Sequence, residues 1–458
     1  MVVLLKIVQV ILALSLLVIF HEFGHYSFAK LFKTRVEKFY LFFNPKISLF
    51  KAKRFEGKWH FKFFSSNEDA QWDAHPENTE YGIGWLPFGG YCKIAGMIDE
   101  SMDVEAMKLP PQPYEFRTKK SWQRLLIMFG GVLFNFILAI ILYAAILGTW
   151  GEEYLRNDDA VYGVAVNDLS YEIGFRDGDR ILAFDGVPVE NFSSLQVDLV
   201  RSQAREATVL RDGDTLALAI DPVYIPAMLN TPGMFDLAFP FVVKEVQDGS
   251  PNTNLQVDDA LVEIDGQRMF LVQQIQKELR KHRGEEISAR VRRGETELAL
   301  PLQVDTAGRV GVLLDTDLNR YFNVTTREYG LLSALPAGAV KTWNTIKGYV
   351  QELGLIFSPK TQAYKSVGSF IAIGRIFPDT WDWYKFWTLC ALLSIMLGVM
   401  NLLPIPALDG GHILFLLFEM LTGRKPSDKF MEIAQWIGMA LLLLLMVLAF
   451  GNDIRSLF

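Results

Sequence analysis

The chain has 458 residues, 50% of them hydrophobic and 21% charged, with a mean hydropathy of +0.19. That balance speaks against a disordered chain and makes membrane spans the first expectation, while the length allows roughly three domains. A net charge of −7, from 45 Lys+Arg against 52 Asp+Glu, speaks against a nucleic-acid partner, and two cysteines exclude a disulfide scaffold.

The first predicted element is a transmembrane helix over 1–30. Residues 7–20 carry no charge, and the apolar stretch runs on into His21-Glu22-Phe23-Gly24-His25. A cleaved signal peptide fits poorly, because Lys6 is the one basic residue near the start and no A-x-A site follows. Four residues apart on a helix, His21 and His25 differ by about 40° around the axis, so both imidazoles face one way and can share a zinc ion. Glu22 then sits beside the metal, placed to take a proton from its water. Burying a carboxylate in a span costs roughly 2.5–3.5 kcal/mol, so Glu22 needs a reason to be there.

Residues 31–120 read as a cytoplasmic, membrane-associated loop. Ten Lys and Arg lie between 30 and 62, and Arg117, Lys119, Lys120 and Arg124 flank the next span. That span is predicted over 121–151, with 125–151 free of charge and Glu152 and Glu153 beyond it. Arg424, Lys425 and Lys429 lie between the last two spans. Because Lys and Arg near span ends stay cytoplasmic, these positions agree on four spans with both termini external. Cys92 then falls in the cytoplasmic loop and Cys390 in a span, which predicts two free thiols.

The external block 152–325 holds 30 acidic and 17 basic residues, a net of −13. It contains a diverged repeat: residues 178–186, from Gly178 to Gly186, recur 80 residues later as 258–266. Each copy is a short apolar strand entering an Asp-Gly turn, followed by an amphipathic helix with Leu195 and Leu199 matching Ile275 and Leu279. After the repeat, 326–384 is amphipathic, and Trp381, Trp383, Tyr384 and Trp387 mark a membrane–water interface.

A third transmembrane segment is predicted over 385–412 and a fourth helix over 431–452; 386–408 and 433–452 are charge-free. The third ends in the sequence NLLPIPALDGGH, residues 401–412. Pro404 and Pro406 prevent a regular helix, and freed backbone at membrane depth is tolerated where it lines a cavity. Asp409 is a hard oxygen donor for zinc, and the Asn401 amide could hold a substrate backbone group. His412 competes as a ligand, although an interfacial histidine is the plainer reading.

His21–His25 together with residues 401–412 resembles the site-2 protease family of intramembrane zinc metalloproteases. The tandem repeat, over 158–222 and 238–305, resembles two circularly permuted PDZ domains, which bind extended peptides at a sheet edge. The resemblance covers essentially the whole chain. It implies a multi-pass α-helical membrane protein with four transmembrane helices, a membrane-associated β region and an inserted tandem of mixed α/β PDZ domains. It implies one Zn2+ per chain on His21, His25 and Asp409, with Glu22 catalytic and Asn401 binding substrate.

The implied partners are the lipid bilayer and single-span membrane proteins, such as anti-sigma factors or remnant signal peptides. These would be cut in regulated intramembrane proteolysis after a prior external cut, with the PDZ pair as a size filter. The implied location is the bacterial inner membrane, PDZ domains and termini periplasmic, with the active site near the cytoplasmic side. Residues 87–91 resemble the family's GGY element, 40–64 its β-hairpin region and 130–135 its GGxxxN pattern. An acidic, proline-rich insertion at 99–113 and the stretch 366–369 depart from the family. A PDZ scaffold without catalysis would leave HEFGH and Asp409 unexplained, and a zinc transporter would use the same ligands.

Overall fold

A computed structural model describes residues 2–67, 69–87, 89–97, 110–358, 361 and 368–455. Most of the insertion at 99–113, Phe88 of the GGY element, and Ser366 and Val367 lie outside the described residues. The chain divides into two compact units. Met1–Gly151, Glu328–Gly354 and Val367–Phe458 form the first; Glu152–Arg327 and Leu355–Ser366 form the second.

The helices of the first unit are α1 (Val2–Leu31), α2 (Ala70–Asp73), α3 (Ser121–Trp150) and α4 (Leu331–Phe357), whose last three residues belong to the second unit. They continue with α5 (Phe370–Ile376), α6 (Trp383–Leu402), α7 (Asp409–Thr422) and α8 (Asp428–Arg455). Among the described residues, α1, α3, α6 and α8 are long and apolar enough to cross a membrane.

Helix α3 is the one the others pack on, against α1, α6 and α7. It meets α1 at glycines: a Cβ on Gly24 would lie 2.1 Å from the Gly130 carbonyl oxygen. Lipid gives no hydrophobic drive for helices to pair, so such backbone-to-backbone approach supplies the contact. The third apolar run breaks after Leu402, where Pro404 and Pro406 remove helical donors, and helix resumes at Asp409. The break is held from outside. Ala407 takes a left-handed φ of 82°, its N–H donates to Gln435 Oε1 at 3.2 Å, and Gly438 of α8 lets the Pro406 carbonyl approach.

Between α1 and α3 lies a five-stranded sheet of β1 (Val36–Leu41), β2 (Ile47–Phe55), β3 (Lys58–Ser66), β4 (Glu80–Ile83) and β5 (Tyr91–Ile94), in the order β3-β2-β4-β1-β5. The β2–β3 register sets Phe50, Ala52 and Arg54 opposite Phe63, Phe61 and Trp59 on one face. The other face pairs Lys51 and Lys53 with Lys62 and His60. The burial is inverted relative to a sheet in water. Lys51 is fully buried, its ammonium 4.7 Å from the Trp72 ring of α2, and Lys53 donates to the Trp72 carbonyl at 2.7 Å. Phe61 and Phe63 are 58% and 68% exposed.

The second unit opens with β6 (Glu152–Leu155), β7 (Val164–Val166), β8 (Arg180–Phe184), β9 (Val187–Pro188), β10 (Glu206–Arg211) and β11 (Asp214–Ala219). It continues with β12 (Phe235–Leu237), β13 (Val243–Val246), β14 (Ala260–Ile264), β15 (Gln267–Arg268), β16 (Glu286–Arg293), β17 (Thr296–Gln303), β18 (Val312–Leu314) and β19 (Val324–Arg327). Sheet β11-β10-β8-β9 has the same strand order as β17-β16-β14-β15, and the helices Leu195–Ser202 and Val272–Leu279 stand at equivalent points.

Both copies carry one buried ion pair. Arg211 clasps Asp179 through two bonds of 2.7 Å, and Arg293 clasps Asp259 at 2.8 and 2.7 Å, with both carboxylates fully buried. A bidentate guanidinium, joined by the Arg176 N–H at Asp179 and the Gln256 N–H at Asp259, is an arrangement in which a buried carboxylate is tolerated. Strands β6 and β19 pair antiparallel where the chain enters and leaves the unit.

Candidate metal centre

The HEFGH sequence lies on α1 about two turns before its end, on the side facing α3. His21 and His25 project together as the helical spacing requires, and the start of α7 brings Asp409 to them. His21 Nε2 and His25 Nε2 are 3.3 Å apart, and Asp409 Oδ2 is 3.4 Å from the first and 3.3 Å from the second. All three side chains are largely buried, and Asp409 Oδ2 has no hydrogen-bond partner. Three buried donor atoms pointing at one another form a group able to hold a metal ion.

Ligands at about 2.0–2.1 Å in a tetrahedral arrangement stand about 3.3–3.4 Å apart, a spacing these edges match. Calcium takes oxygen ligands, which two imidazole nitrogens do not supply. Two nitrogens and one carboxylate oxygen are also a zinc donor set. Among the described residues, this is the one group of three or more His, Cys, Asp or Glu able to hold a metal.

Glu22 lies half-buried beside the triangle. A Cβ on Gly90 would lie 3.6 Å from Glu22 Cγ and 2.6 Å from Val18 Cγ1, so the GGY backbone packs directly on α1 at the HEFGH turn. Strand β5 follows it and is an edge of its sheet. The Asn401 amide nitrogen lies 3.4 Å from His21 Nε2, at the end of α6. His412 is outside the triangle and lines a pocket with Arg124, Glu419 and Lys425. His60 and His75 stack on the ring of Phe55, and His282 lies among Asp265, Glu278 and Glu285.

Two residues of α3 had been legible only as part of the GGxxxN pattern. Gly131 leaves the space the rings occupy, since a Cβ there would fall 2.4 Å from His25 Nε2. Asn135, fully buried, reaches His21 Nδ1 at 3.1 Å. His25 Nδ1 lies 2.9 Å from the Ile127 carbonyl oxygen, an acceptor that leaves Nε2 free to face the triangle.

The sequence model of peptidase family M50 matches residues 9–65 and 70–445 of the chain. The regulator of sigma-E protease RseP of Salmonella typhimurium is 28% identical over 476 residues, covering 98% of each chain. RseP of Escherichia coli has the same identity, length and coverage. Protease RseP of Yersinia pestis is 28% identical over 477 residues, again covering 98% of each chain.

Proposed function

The chain belongs to peptidase family M50 and is a zinc metalloendopeptidase, and from that premise we propose that it hydrolyses peptide bonds of single-span membrane proteins inside or just beneath the bilayer. His21, His25 and Asp409 hold one Zn2+. Bound there, zinc supplies Lewis-acid activation of a water and of the scissile carbonyl. A carboxylate oxygen of Glu22 takes the proton from that water and returns it to the leaving amine nitrogen. The Asn401 amide holds a backbone group of the substrate.

A helical substrate hides its carbonyls in internal hydrogen bonds and must unwind to be cut. Strand β5, last in the strand order of its sheet and leading from the Gly90 contact with Glu22, lies where an extended segment could be held. The exposed aromatic face of β2–β3 meets lipid. The repeats over 158–222 and 238–305 act as PDZ domains and as a size filter, admitting substrates already trimmed outside; their shared strand order supports that reading. Anti-sigma factors and remnant signal peptides fit this description. The enzyme sits in a bacterial inner membrane with the repeats and both termini periplasmic, and with the site toward the cytoplasmic face.

The observation that carries the reading is the triangle of His21, His25 and Asp409 donors, with 3.3–3.4 Å edges, one residue from Glu22. Reconstituted in vesicles with a single-span reporter, Glu22→Gln should lose activity by about 10²–10⁴-fold while retaining about one zinc per chain. Cleavage by Glu22→Gln at the wild-type rate would refute the mechanism.

A further inference from the structure

Both imidazoles turn Nε2 into the triangle, so in each neutral ring the proton sits on Nδ1, and that proton needs an acceptor. For His25 the acceptor is the Ile127 carbonyl of α3. The Gly131 backbone carbonyl of the same helix bears on the His21 ring in the same way, but His21 Nδ1 also meets a second group, one turn further on: the side-chain amide nitrogen of Asn135, at 3.1 Å. Two N–H donors facing each other make no bond. Beside them the amide oxygen of Asn135, in a fully buried residue, has no hydrogen-bond partner.

One half-turn of the amide removes both faults, because it exchanges Nδ2 for Oδ1 in nearly the same volume. The carbonyl oxygen then accepts the His21 Nδ1 proton, and α3 serves the two histidines alike, one through a backbone carbonyl and one through a side-chain carbonyl. The surroundings hold Asn135 in place for this. Ser394 Oγ of α6 donates to the Asn135 backbone carbonyl at 2.8 Å, and Gly131, one turn earlier, leaves the His21 ring its room.

We propose that Asn135 is a positioning residue whose side-chain carbonyl accepts the His21 Nδ1 proton, fixing the tautomer and orientation of that ring and thereby the zinc affinity of the site. The inference rests on the zinc site proposed above. It differs from a packing role for the GGxxxN pattern in one respect: the oxygen matters and the amide nitrogen does not.

The test is the zinc dissociation constant of the purified full chain, measured by competition with a chromogenic chelator, for wild type, Asn135→Ala and Asn135→Asp. Loss of an outer partner of a metal-bound histidine weakens binding about 10–100-fold, and that is the loss expected for Asn135→Ala. Asn135→Asp keeps the acceptor and should bind zinc as tightly as wild type or more so. Asn135→Ala binding as tightly as wild type would overturn the proposal, as would an Asn135→Asp variant as weak as Asn135→Ala. A wild type that binds no zinc would overturn the site itself, an outcome distinct from equal binding by all three proteins. If Asn135→Ala fails to fold, Asn135→Leu, which likewise has no acceptor, takes its place with the same loss expected.

Discussion

A methyl group at residue 131 would collide with both metal-facing rings, 2.4 Å from His25 Nε2 and 2.6 Å from His21 Cε1. Gly131→Ala should therefore displace the imidazoles and weaken zinc binding by about tenfold or more, as read by chelator competition. Gly148→Ala is the control on the same helix, since its Cβ would meet only the Ala334 methyl at ordinary contact distance, 3.6 Å; it should leave zinc affinity unchanged. These positions also show what a sequence reveals at this scale. His21, Glu22 and His25 were legible because helical geometry alone brings them together. Asp409 was legible as the carboxylate that ends a charge-free run. Asn135 was not, because its partner His21 is 114 residues away and only the α1–α3 crossing joins them. The left-handed Ala407 had no signal either, since Ala carries no mark of positive φ.

At the scale of elements, the β2–β3 hairpin alternates as any half-buried strand pair does, and the alternation is plain in the sequence. Which side is buried is not, because the solvent decides it: in water the phenylalanines would turn inward, whereas here the lysines do. If that aromatic face meets lipid, a polarity-sensitive dye on Phe63→Cys should be quenched strongly by a lipid-soluble quencher and weakly by an aqueous one in vesicles. The reverse order would place the face in water. The repeats were legible from their Asp-Gly turns, but the Asp–Arg clasp was not, because it joins Asp179 to Arg211 and Asp259 to Arg293 across a sheet. Arg293→Met leaves the buried Asp259 carboxylate without its cation, and should destabilise the second repeat in hydrogen-exchange measurements.

For the whole molecule, the chain does more than pass once through each unit. Leu355, near the C-terminal end of α4, belongs to the second unit, and the chain returns to the first afterwards. Leu355, 4% exposed, completes the core of the first repeat with Phe175, Leu195 and Leu199, whereas the core of the second repeat is built from its own residues. Leu355→Ala should lower the stability of the first repeat by about 2–4 kcal/mol and leave the second unchanged. Nothing in the pattern of 355–366 announces this return, since one buried leucine in an amphipathic stretch looks like any other.

The second unit is also sensitive to acid. Burial alone would raise the pKa of Asp315, but the Asp317 N–H, Arg320 and Tyr321 bond it and hold it below the usual carboxylate range. A depressed carboxylate stabilises the fold above its unfolded pKa of about 3.9, and that contribution is lost as pH falls through the folded value. The hydrogen-exchange protection factors at 258 and 315–321 should therefore fall below about pH 4, and less steeply in Asp315→Asn.

The most direct test of peptide-bond hydrolysis at the His21–His25–Asp409 centre is to map, by mass spectrometry, the bond cut in a single-span substrate reconstituted with the full chain. A cut within the apolar span is the expected result. A cut confined to the water-exposed flank would contradict proteolysis within the membrane.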